Sequence, residues 1–189
     1  MTGQAPRRRP RESVVLLDAD HRPIGTAAKS EVHSAATPLH LAFSCHVFRG
    51  DGKVLVTRRS LSKQAWPGVW TNSVCGHPAP GEPGQDAVRR RAGYELGLEL
   101  GTIDEVVPDF AYRAVDASGI VENEFCPVHF ALAVGEPEPR GSEVAEFRWV
   151  APADLIAAAA AAPWAFSPWL VLQLAEFSAR GIDYAVPRG

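Results

Sequence analysis

The residues best suited to chemistry are concentrated in one stretch, SVCGHPAPGEPGQDAVRRRAGYELGLEL. In it Gly76 is followed after five residues by Glu82, and after seven more by Arg90. Helix carboxylates can hold divalent cations that activate water for the hydrolysis of a diphosphate bond. Here Arg91 and Tyr94 stand where two further carboxylates would be needed. Because a guanidinium grips a phosphate rather than a cation, the stretch predicts a site that binds a diphosphate without cutting it.

A second set of residues outside this helix has the types that ligate a metal. Glu122 and Glu124 are two apart on a predicted strand, so their side chains project from one face. Three imidazoles join these carboxylates in the candidate set: His33, His40 and His77. Mixed nitrogen and oxygen ligation of this kind suits Mn, Fe or Zn better than Mg.

The remaining histidines and cysteines have simpler interpretations. Cys75 and His77 are also compatible with half of a structural zinc site, although no second Cys/His pair stands at suitable spacing. We expect structural roles for His21, His46 and His129, and core positions for Cys45 and Cys126.

Composition indicates a single globular domain in a reducing cytosol. The chain has 189 residues, 46% of them hydrophobic and 22% charged, with a net charge of −3, which gives no overall attraction to nucleic acid or an anionic membrane. Its three cysteines do not form a disulfide framework. The basic start, MTGQAPRRRPRES, has no apolar segment behind it, so we expect a flexible tail over residues 1–12 rather than a signal or anchor.

The elements that must position these residues follow from periodicity. Short β-type runs come first, SVVLLD, PIGTA, LHLAFSCHVF and KVLVTRR, and RGDGK supplies a hairpin turn between the last two. Helical spacing follows from Ala87 to Leu98, with Gly97 near its end. DFAYRAVD, IVENEFCPVHFALAV and EVAEFRWV then predict strands, and PADLIAAAAAA and SPWLVLQLAEFSAR predict closing helices that begin near Pro152 and Pro168.

Alternation along HLAFSCHVF places four of its residues on one face. These are His40, Ala42, Ser44 and His46. The overall order of elements predicts an α+β fold with one domain over residues 13–180 and a C-terminal tail over residues 181–189.

Five segments, TNSVCGHP, YELG, SGIVENE, CPV and PWAFSPW, resemble in this order the type 1 isopentenyl-diphosphate isomerases of the Nudix superfamily. The likeness runs from about Val14 to Glu176 and includes the Nudix box, GxxxxxE followed by REUxEExGU, where U is a bulky aliphatic residue. It implies a mixed β-sheet core flanked by helices, with the box on a loop and helix.

The resemblance implies a reaction and assigns residues to it. Isopentenyl diphosphate would be converted to dimethylallyl diphosphate, in isoprenoid biosynthesis, by protonation and deprotonation through a tertiary carbocation. One divalent metal, Mn²⁺ or Zn²⁺, would be held by His33, His40, His77, Glu122 and Glu124. Mg²⁺ would bind Glu95, the Cys75 carbonyl and the diphosphate, and the diphosphate itself would be gripped by Lys29, Arg59, Lys63 and Arg91.

The same resemblance implies which residues move protons. Cys75 and Glu124 would flank the alkene as an acid/base pair, with Tyr112 beside the glutamate, and the order of their roles stays open. Trp169 would stabilise the carbocation with its ring face, an effect of about 2 kcal/mol or more when desolvated.

Two competing functions remain at this stage. One is a Nudix hydrolase, against which Arg91 and Tyr94 argue; the other is a non-catalytic binding module with a structural metal, against which Cys75 and Trp169 argue. We expect a small-molecule diphosphate substrate and neither nucleic acid nor membrane as partner. The sequence leaves the oligomeric state open.

Overall fold

The computed structural model describes residues 13–188, so the predicted tail over residues 1–12 lies outside the described residues. Its strands are β1 (Ser13–Leu17), β2 (Pro23–Ala28), β3 (His40–Leu41), β4 (Phe43–Phe48), β5 (Val54–Arg59), β6 (Trp70–Thr71), β7 (Val74–Gly76), β8 (Glu99–Val107), β9 (Ala111–Val115), β10 (Val121–Phe125), β11 (Val128–Val134) and β12 (Val144–Val150). Its α-helices are α1 (Lys29–Val32), α2 (Gly84–Leu96), α3 (Pro152–Ala161) and α4 (Pro168–Arg180), with one 3₁₀ turn at Pro163–Ala165.

The strands form two sheets, and at two places the chain runs directly from the smaller sheet into the larger one. The smaller sheet has five strands in the spatial order β2-β1-β3-β10-β9. The larger sheet has seven strands: five lie side by side in the order β12-β5-β4-β11-β8, β6 pairs with β5, and β7 pairs with β4. The chain passes from the smaller to the larger sheet between β3 and β4, and again between β10 and β11. Both crossings lie side by side, because β3 pairs in parallel with β10 and β4 with β11.

The register of the smaller sheet brings three candidate residues to one level. Glu124 on β10 is opposite His40 on β3 and opposite Tyr112 on β9. Opposite residues of the antiparallel pair β10 and β9 lie about 4.5–5.5 Å apart at Cβ, and His40 is at the same level on the other side of β10, so the three side chains can meet on one face. In the larger sheet, Cys75 on β7 is likewise opposite Ser44 on β4.

Helix α2 is the predicted box helix, and two glycines fit it to its surroundings. A Cβ on Gly76 would lie 2.9 Å from the Arg91 side chain and 3.1 Å from the ring of Phe43. Gly97 ends the helix with φ +59, and a Cβ there would lie 2.9 Å from the carbonyl oxygen of Glu138. Gly76 is required because side chains of the helix and of β4 approach its backbone closely. Gly97 is required because its backbone is left-handed and because the Glu138 carbonyl leaves no room for a side chain.

Helix α4 closes one side of the core. Trp169, Gln173 and Phe177 are spaced four residues apart on it and are all buried. Residues at this spacing lie on one helical face, which here is turned toward β4 and the larger sheet. The core includes this face and the side chains of β4, β5 and β11.

The predicted α+β architecture is confirmed, with three differences in detail. The strands form two sheets rather than one core sheet, and IVENEFCPVHFALAV divides at Cys126 into β10 and β11, one in each sheet. Strands β6, β7 and β8 and the short helix α1 were not predicted, because β8 and α1 have no distinct apolar period and β6 and β7 are only two and three residues long. No helix among residues 13–188 is long and apolar enough to cross a membrane.

Candidate active site

One cavity of about 190 Å³ collects nearly all of the candidate residues. The candidates that line it are Lys29, His33, Arg59, Lys63, Cys75, His77, Arg91, Glu95, Tyr112, Glu122, Glu124 and Trp169. His40 is fully buried behind the wall and touches the group through Glu124. The fold therefore assembles in one place residues that are spread over 140 positions of the sequence, from 29 to 169.

Four residues within this group could hold a metal ion: His33, His40, His77 and Glu124. Their ligand atoms lie within 4.8 Å of one another. His40 Nε2 and both ring nitrogens of His77 are buried without a hydrogen-bond partner among the described residues. Buried polar atoms are normally satisfied, so these unmatched imidazole nitrogens fit a site that a divalent cation completes.

Glu122, predicted as a fifth ligand, lies at the edge of this group. Its Oε2 is 3.0 Å from His33 Nε2, but no oxygen of Glu122 falls within the cluster of four. Both atoms of this contact are on buried or nearly buried side chains. Glu122 is thus placed either to ligate an ion that His33 binds or to orient the imidazole of His33.

Burial and neighbouring charges shift the pKa values of Glu124, His77 and His40 in different directions. Burial opposes ionisation of Glu124, but the adjacent imidazoles of His40 and His77 outweigh burial and hold its pKa well below the usual range. Burial lowers the pKa of His77 to about 4. Burial also acts to lower the pKa of His40, but the neighbouring carboxylate outweighs it and the pKa is raised. An anionic carboxylate among imidazoles is the state that a metal requires.

The two oxygens of Glu124 face different partners. Oε1 lies 3.5 Å from His40 Nε2 and 3.3 Å from His77 Nε2. Oε2 accepts a hydrogen bond of 2.8 Å from the Tyr112 hydroxyl. Burial and the nearby carboxylates raise the pKa of Tyr112, so its hydroxyl stays protonated and remains a donor. One carboxylate therefore connects the candidate metal ligands to a proton donor in the cavity.

The Cys75 thiol is the other proton-carrying group of the cavity. Its Sγ donates to Asn72 Oδ1 at 3.2 Å and lies 3.4 Å from Ser44 Oγ. Burial raises the pKa of Cys75 to about 11, although the hydrogen bonds with Ser44 and Asn72 act in the opposite direction. The sulfur consequently keeps its proton at neutral pH.

Trp169 is held in place by its ring nitrogen and by aromatic neighbours. Its Nε1 donates to Asn72 Oδ1 at 3.0 Å, so one amide oxygen orients both the tryptophan and the thiol. Trp66 and Tyr112 pack against it, with ring centroids 5.6 Å and 5.7 Å away. The Arg59 guanidinium lies 5.4 Å from the ring centroid.

Two of the cationic side chains of the cavity pair with carboxylates. Lys63 pairs with Glu143, and Arg91 pairs with Glu95 and lies 3.7 Å from Glu143. Burial opposes ionisation of Glu143, but Lys63 and, to a smaller degree, Arg91 outweigh it and hold the pKa of Glu143 below its usual range. Glu95, the predicted Mg²⁺ ligand, therefore lies beside a predicted diphosphate-binding arginine.

The box residues Glu82 and Arg90 fix the loop that carries His77. Arg90 donates to both carboxylate oxygens of Glu82 at 2.7 Å, and its NH2 also donates to the His77 carbonyl at 3.1 Å. Glu82 accepts from the backbone N–H of Ala79 at 2.7 Å. The bidentate pair thus positions the loop between β7 and α2 rather than a ligand in the cavity.

Three polar residues around the cavity had no predicted role. They are Asn72, Ser44 and Glu143. Asn72 lies inside the TNSVCGHP segment, three residues before Cys75, and that spacing was the one available signal. Ser44 and Glu143 meet the site only through strand pairing and folding of distant segments.

Comparison with known proteins adds independent findings. A family model described as "NUDIX domain" matches residues 38–170. The chain is 64% identical over 165 residues to an isopentenyl-diphosphate Delta-isomerase of Kocuria rhizophila, covering 87% of this chain and 92% of that protein. It is 58% identical over 175 residues to the protein of the same name from Leifsonia xyli, covering 91% and 95%.

Solved structures show the same fold in more distant proteins. A crystal structure of a Deinococcus radiodurans protein superposes with a TM-score of 0.67 at 20% sequence identity, covering 87% of this chain and 98% of that one. At this identity the likeness concerns the fold alone.

Proposed function

Because the chain belongs to the NUDIX domain family, and within it to the isopentenyl-diphosphate Delta-isomerases, we propose that its cavity interconverts isopentenyl diphosphate and dimethylallyl diphosphate. One observation carries the assignment to these residues: the Cys75 thiol and the Glu124–Tyr112 pair line the same cavity as Trp169 and four cationic side chains. A hydrolase of diphosphates would need carboxylates where the helix of this chain has Arg91 and Tyr94.

The reaction needs two proton-transfer groups. An unactivated alkene is a very weak base, so a proton must be delivered to its terminal carbon while the tertiary cation is kept from water. A second group then removes a proton from the neighbouring methylene carbon. Cys75, which holds its proton, and Glu124, which is ionised and bonded to Tyr112, supply one group of each kind. After one turnover the two have exchanged protonation states, and proton exchange with water restores them before the next turnover.

Trp169 contributes the electrostatic part of the site. An indole face attracts a cation by about 2 kcal/mol or more when desolvated. That corresponds to roughly a thirtyfold rate increase, so orientation and proton transfer must supply most of the remainder. Its hydrogen bond to Asn72 holds the ring in the same frame as the thiol.

The assignments to bound ions and to the diphosphate belong to this proposal. His33, His40, His77 and Glu124, with Glu122 beside them, would hold one divalent ion, Mn²⁺ or Zn²⁺ by their donor set. Glu95 and the Cys75 carbonyl would hold Mg²⁺ on the diphosphate, whose charge Lys29, Arg59, Lys63 and Arg91 would balance. Such ions neutralise phosphate charge and fix the orientation of the substrate.

An NMR experiment in heavy water tests the proposed reaction. The protein is incubated with isopentenyl diphosphate, Mg²⁺ and Mn²⁺, with an EDTA-treated sample as control. We expect deuterium-labelled dimethylallyl diphosphate with the diphosphate intact. Released phosphate would indicate a hydrolase instead, and unchanged substrate with fully metallated protein would overturn both enzymatic functions.

A further inference from the structure

A buried row of polar side chains leads from the carboxyl-terminal segment to the Cys75 thiol. The Tyr184 hydroxyl is 2.7 Å from His46 Nδ1, and His46 Nε2 is 2.9 Å from Gln173 Oε1. Gln173 Nε2 donates to Ser44 Oγ at 2.8 Å, and Ser44 Oγ lies 3.4 Å from Cys75 Sγ. We call the first four residues, Tyr184, His46, Gln173 and Ser44, the thiol network.

The proton positions in this network follow from its last contact. The amide nitrogen of Asn72 donates to the carbonyls of Cys45 and Val74, both at 3.1 Å, so its oxygen must face Cys75. The single thiol proton of Cys75 is used on that oxygen. The contact with Ser44 is therefore a hydrogen bond only if the serine hydroxyl donates to the sulfur. Ser44 Oγ also lies 3.4 Å from Cys126 Sγ, where the Cys126 thiol can donate to the serine oxygen and leave the serine proton for Cys75.

The serine proton then fixes every other donor. Since Ser44 gives its proton to Cys75, it must accept from Gln173, which turns the Gln173 oxygen toward His46. His46 Nε2 is consequently the N–H donor and Nδ1 accepts from Tyr184. Burial lowers the pKa of His46 to about 4, in agreement with a neutral ring that has one proton. All four donors thus point toward the thiol.

Packing leaves the members of the network little freedom to move. Ser44, His46 and Gln173 are fully buried, and Tyr184 is 9% exposed. The Tyr184 ring is stacked on Phe177 at 5.3 Å and edges against Phe48 at the same distance. In such packed surroundings each side chain of the network has one rotamer that satisfies its hydrogen-bond partners. A displacement of one side chain therefore displaces the next one along the network.

We propose that the thiol network positions the Cys75 sulfur for proton transfer, so that Tyr184 of the carboxyl-terminal segment contributes to catalysis without reaching the cavity. The inference rests on the proposed function, in which Cys75 touches the substrate. Tyr184, His46, Gln173 and Ser44 are positioning residues. Misplacement of a reacting group by about 1 Å can cost on the order of a hundredfold in rate, whereas it leaves diphosphate binding intact.

Two substitutions and their combination test this inference kinetically. Tyr184→Phe removes one hydroxyl and keeps the ring, and we expect kcat to fall by about threefold to tenfold with KM within about twofold. Ser44→Ala should lower kcat further, by about tenfold or more. The two residues share no contact, so independent effects would multiply. We expect instead that Tyr184→Phe has no further effect in the Ser44→Ala background.

A spectroscopic measurement without substrate separates this inference from the proposed function. The S–H stretching band of Cys75 is isolated by subtracting the infrared spectrum of Cys75→Ala. Ser44→Ala and Tyr184→Phe should both shift this band. Arg188→Ala, which breaks only the exposed ion pair with Asp183 in the same segment, should leave the band and kcat unchanged.

The possible outcomes distinguish the positioning role of the network from the proposed reaction. Multiplicative kinetic effects, or an unshifted S–H band in both network variants, would overturn the positioning role even if the isomerase is active. A shifted band in a protein without turnover would retain the network and overturn the proposed reaction. If Ser44→Ala does not fold, Gln173→Leu breaks the network at its middle and carries the same expectations.

Discussion

At the scale of single residues, the surroundings of a side chain decide its chemistry more than its type does. Three cysteines lie in or near the core, yet Cys45 and Cys126 are fully buried and only Cys75 among them lines the cavity. The prediction that the first two are core residues is confirmed. Cys75 differs in meeting Asn72 at the cavity wall, whereas Ser44 lies 3.4 Å from both Cys75 and Cys126.

Replacement of this thiol should separate catalysis from metal binding. Cys75→Ala should lower turnover on the order of 10³-fold, because it removes one of two proton-transfer groups. Its metal content should equal that of the wild type, since the side chain is outside the His/Glu group. Metal analysis and the heavy-water assay measure the two effects, with Cys45→Ala as the active control. Loss of metal from Cys75→Ala would show the thiol to be a ligand.

The candidate metal site gives a prediction about stability. An ion bound only by the folded state at about a hundred times its dissociation constant adds about 2.7 kcal/mol to the free energy of unfolding. We expect Mn²⁺ to raise the Tm of the wild type and EDTA to reverse the effect.

His40→Ala should lose this response, because the ring is fully buried in the cluster. The control is His21→Asn, which is exposed and has φ 61, a conformation that asparagine tolerates. An equal Mn²⁺ response in His40→Ala and the control would mean that the ion binds elsewhere.

At the scale of elements, short strands and one helix determine the geometry of the cavity. Strands β3, β9 and β10 align His40, Tyr112 and Glu124 by register, and α4 places Trp169 and Gln173 on one face. These placements depend on where each element begins. Helix α4 starts at Pro168 behind Ser167, whose side chain accepts from the backbone N–H of Leu170 and bonds the Thr71 hydroxyl at 2.8 Å.

Loss of this cap should affect both the helix and the site. Ser167→Ala should lower the free energy of unfolding by about 1 kcal/mol, as for other N-cap serines. It should also lower kcat, because Trp169 lies in the first turn that the cap and Thr71 hold. Denaturant titration and steady-state kinetics measure the two changes. Ser178→Ala, an exposed change near the end of the same helix, should alter neither, and equal effects of both variants would contradict this role.

At the scale of the whole molecule, the two sheets and α4 enclose a core that contains titratable groups. His46 lies fully buried in it between Gln173 and Tyr184. Its pKa is about 4 in the folded protein and 6.5 in an ordinary histidine. Between these values the unfolded chain binds the extra proton, so stability falls as the pH falls through this window.

Acid denaturation measures this contribution. The difference between the two pKa values corresponds to about 3 kcal/mol, which is fully present above pH 6.5 and lost progressively toward pH 4. We expect His46→Gln, which cannot titrate, to lose less stability than the wild type between pH 7.5 and pH 4.5. Urea titrations at both values give the comparison. Equal losses in the two proteins would assign the acid sensitivity to other groups.

The sequence by itself determined the α+β class, most strands, the box helix and the residues that share a face. These follow from local rules, since period 2 placed Glu122 with Glu124 and Ser44 with His46, and the glycine and carboxylate spacing marked the box. Residue types and spacing supplied the candidate metal ligands, and the resemblance of five segments to a known family supplied the proton-transfer residues; the fold brings both sets together at one cavity.

Only the tertiary structure decided which of these residues meet, because the contacts join segments far apart in the chain. His46 and Tyr184 are separated by 138 positions and Trp169 and Asn72 by 97, and no periodicity encodes such pairs. The sequence assigned His46 a structural role and Tyr184 to a tail. Strand pairing, the crossing between the two sheets and the face of α4 bring both toward the thiol, and burial then makes each hydrogen bond obligatory.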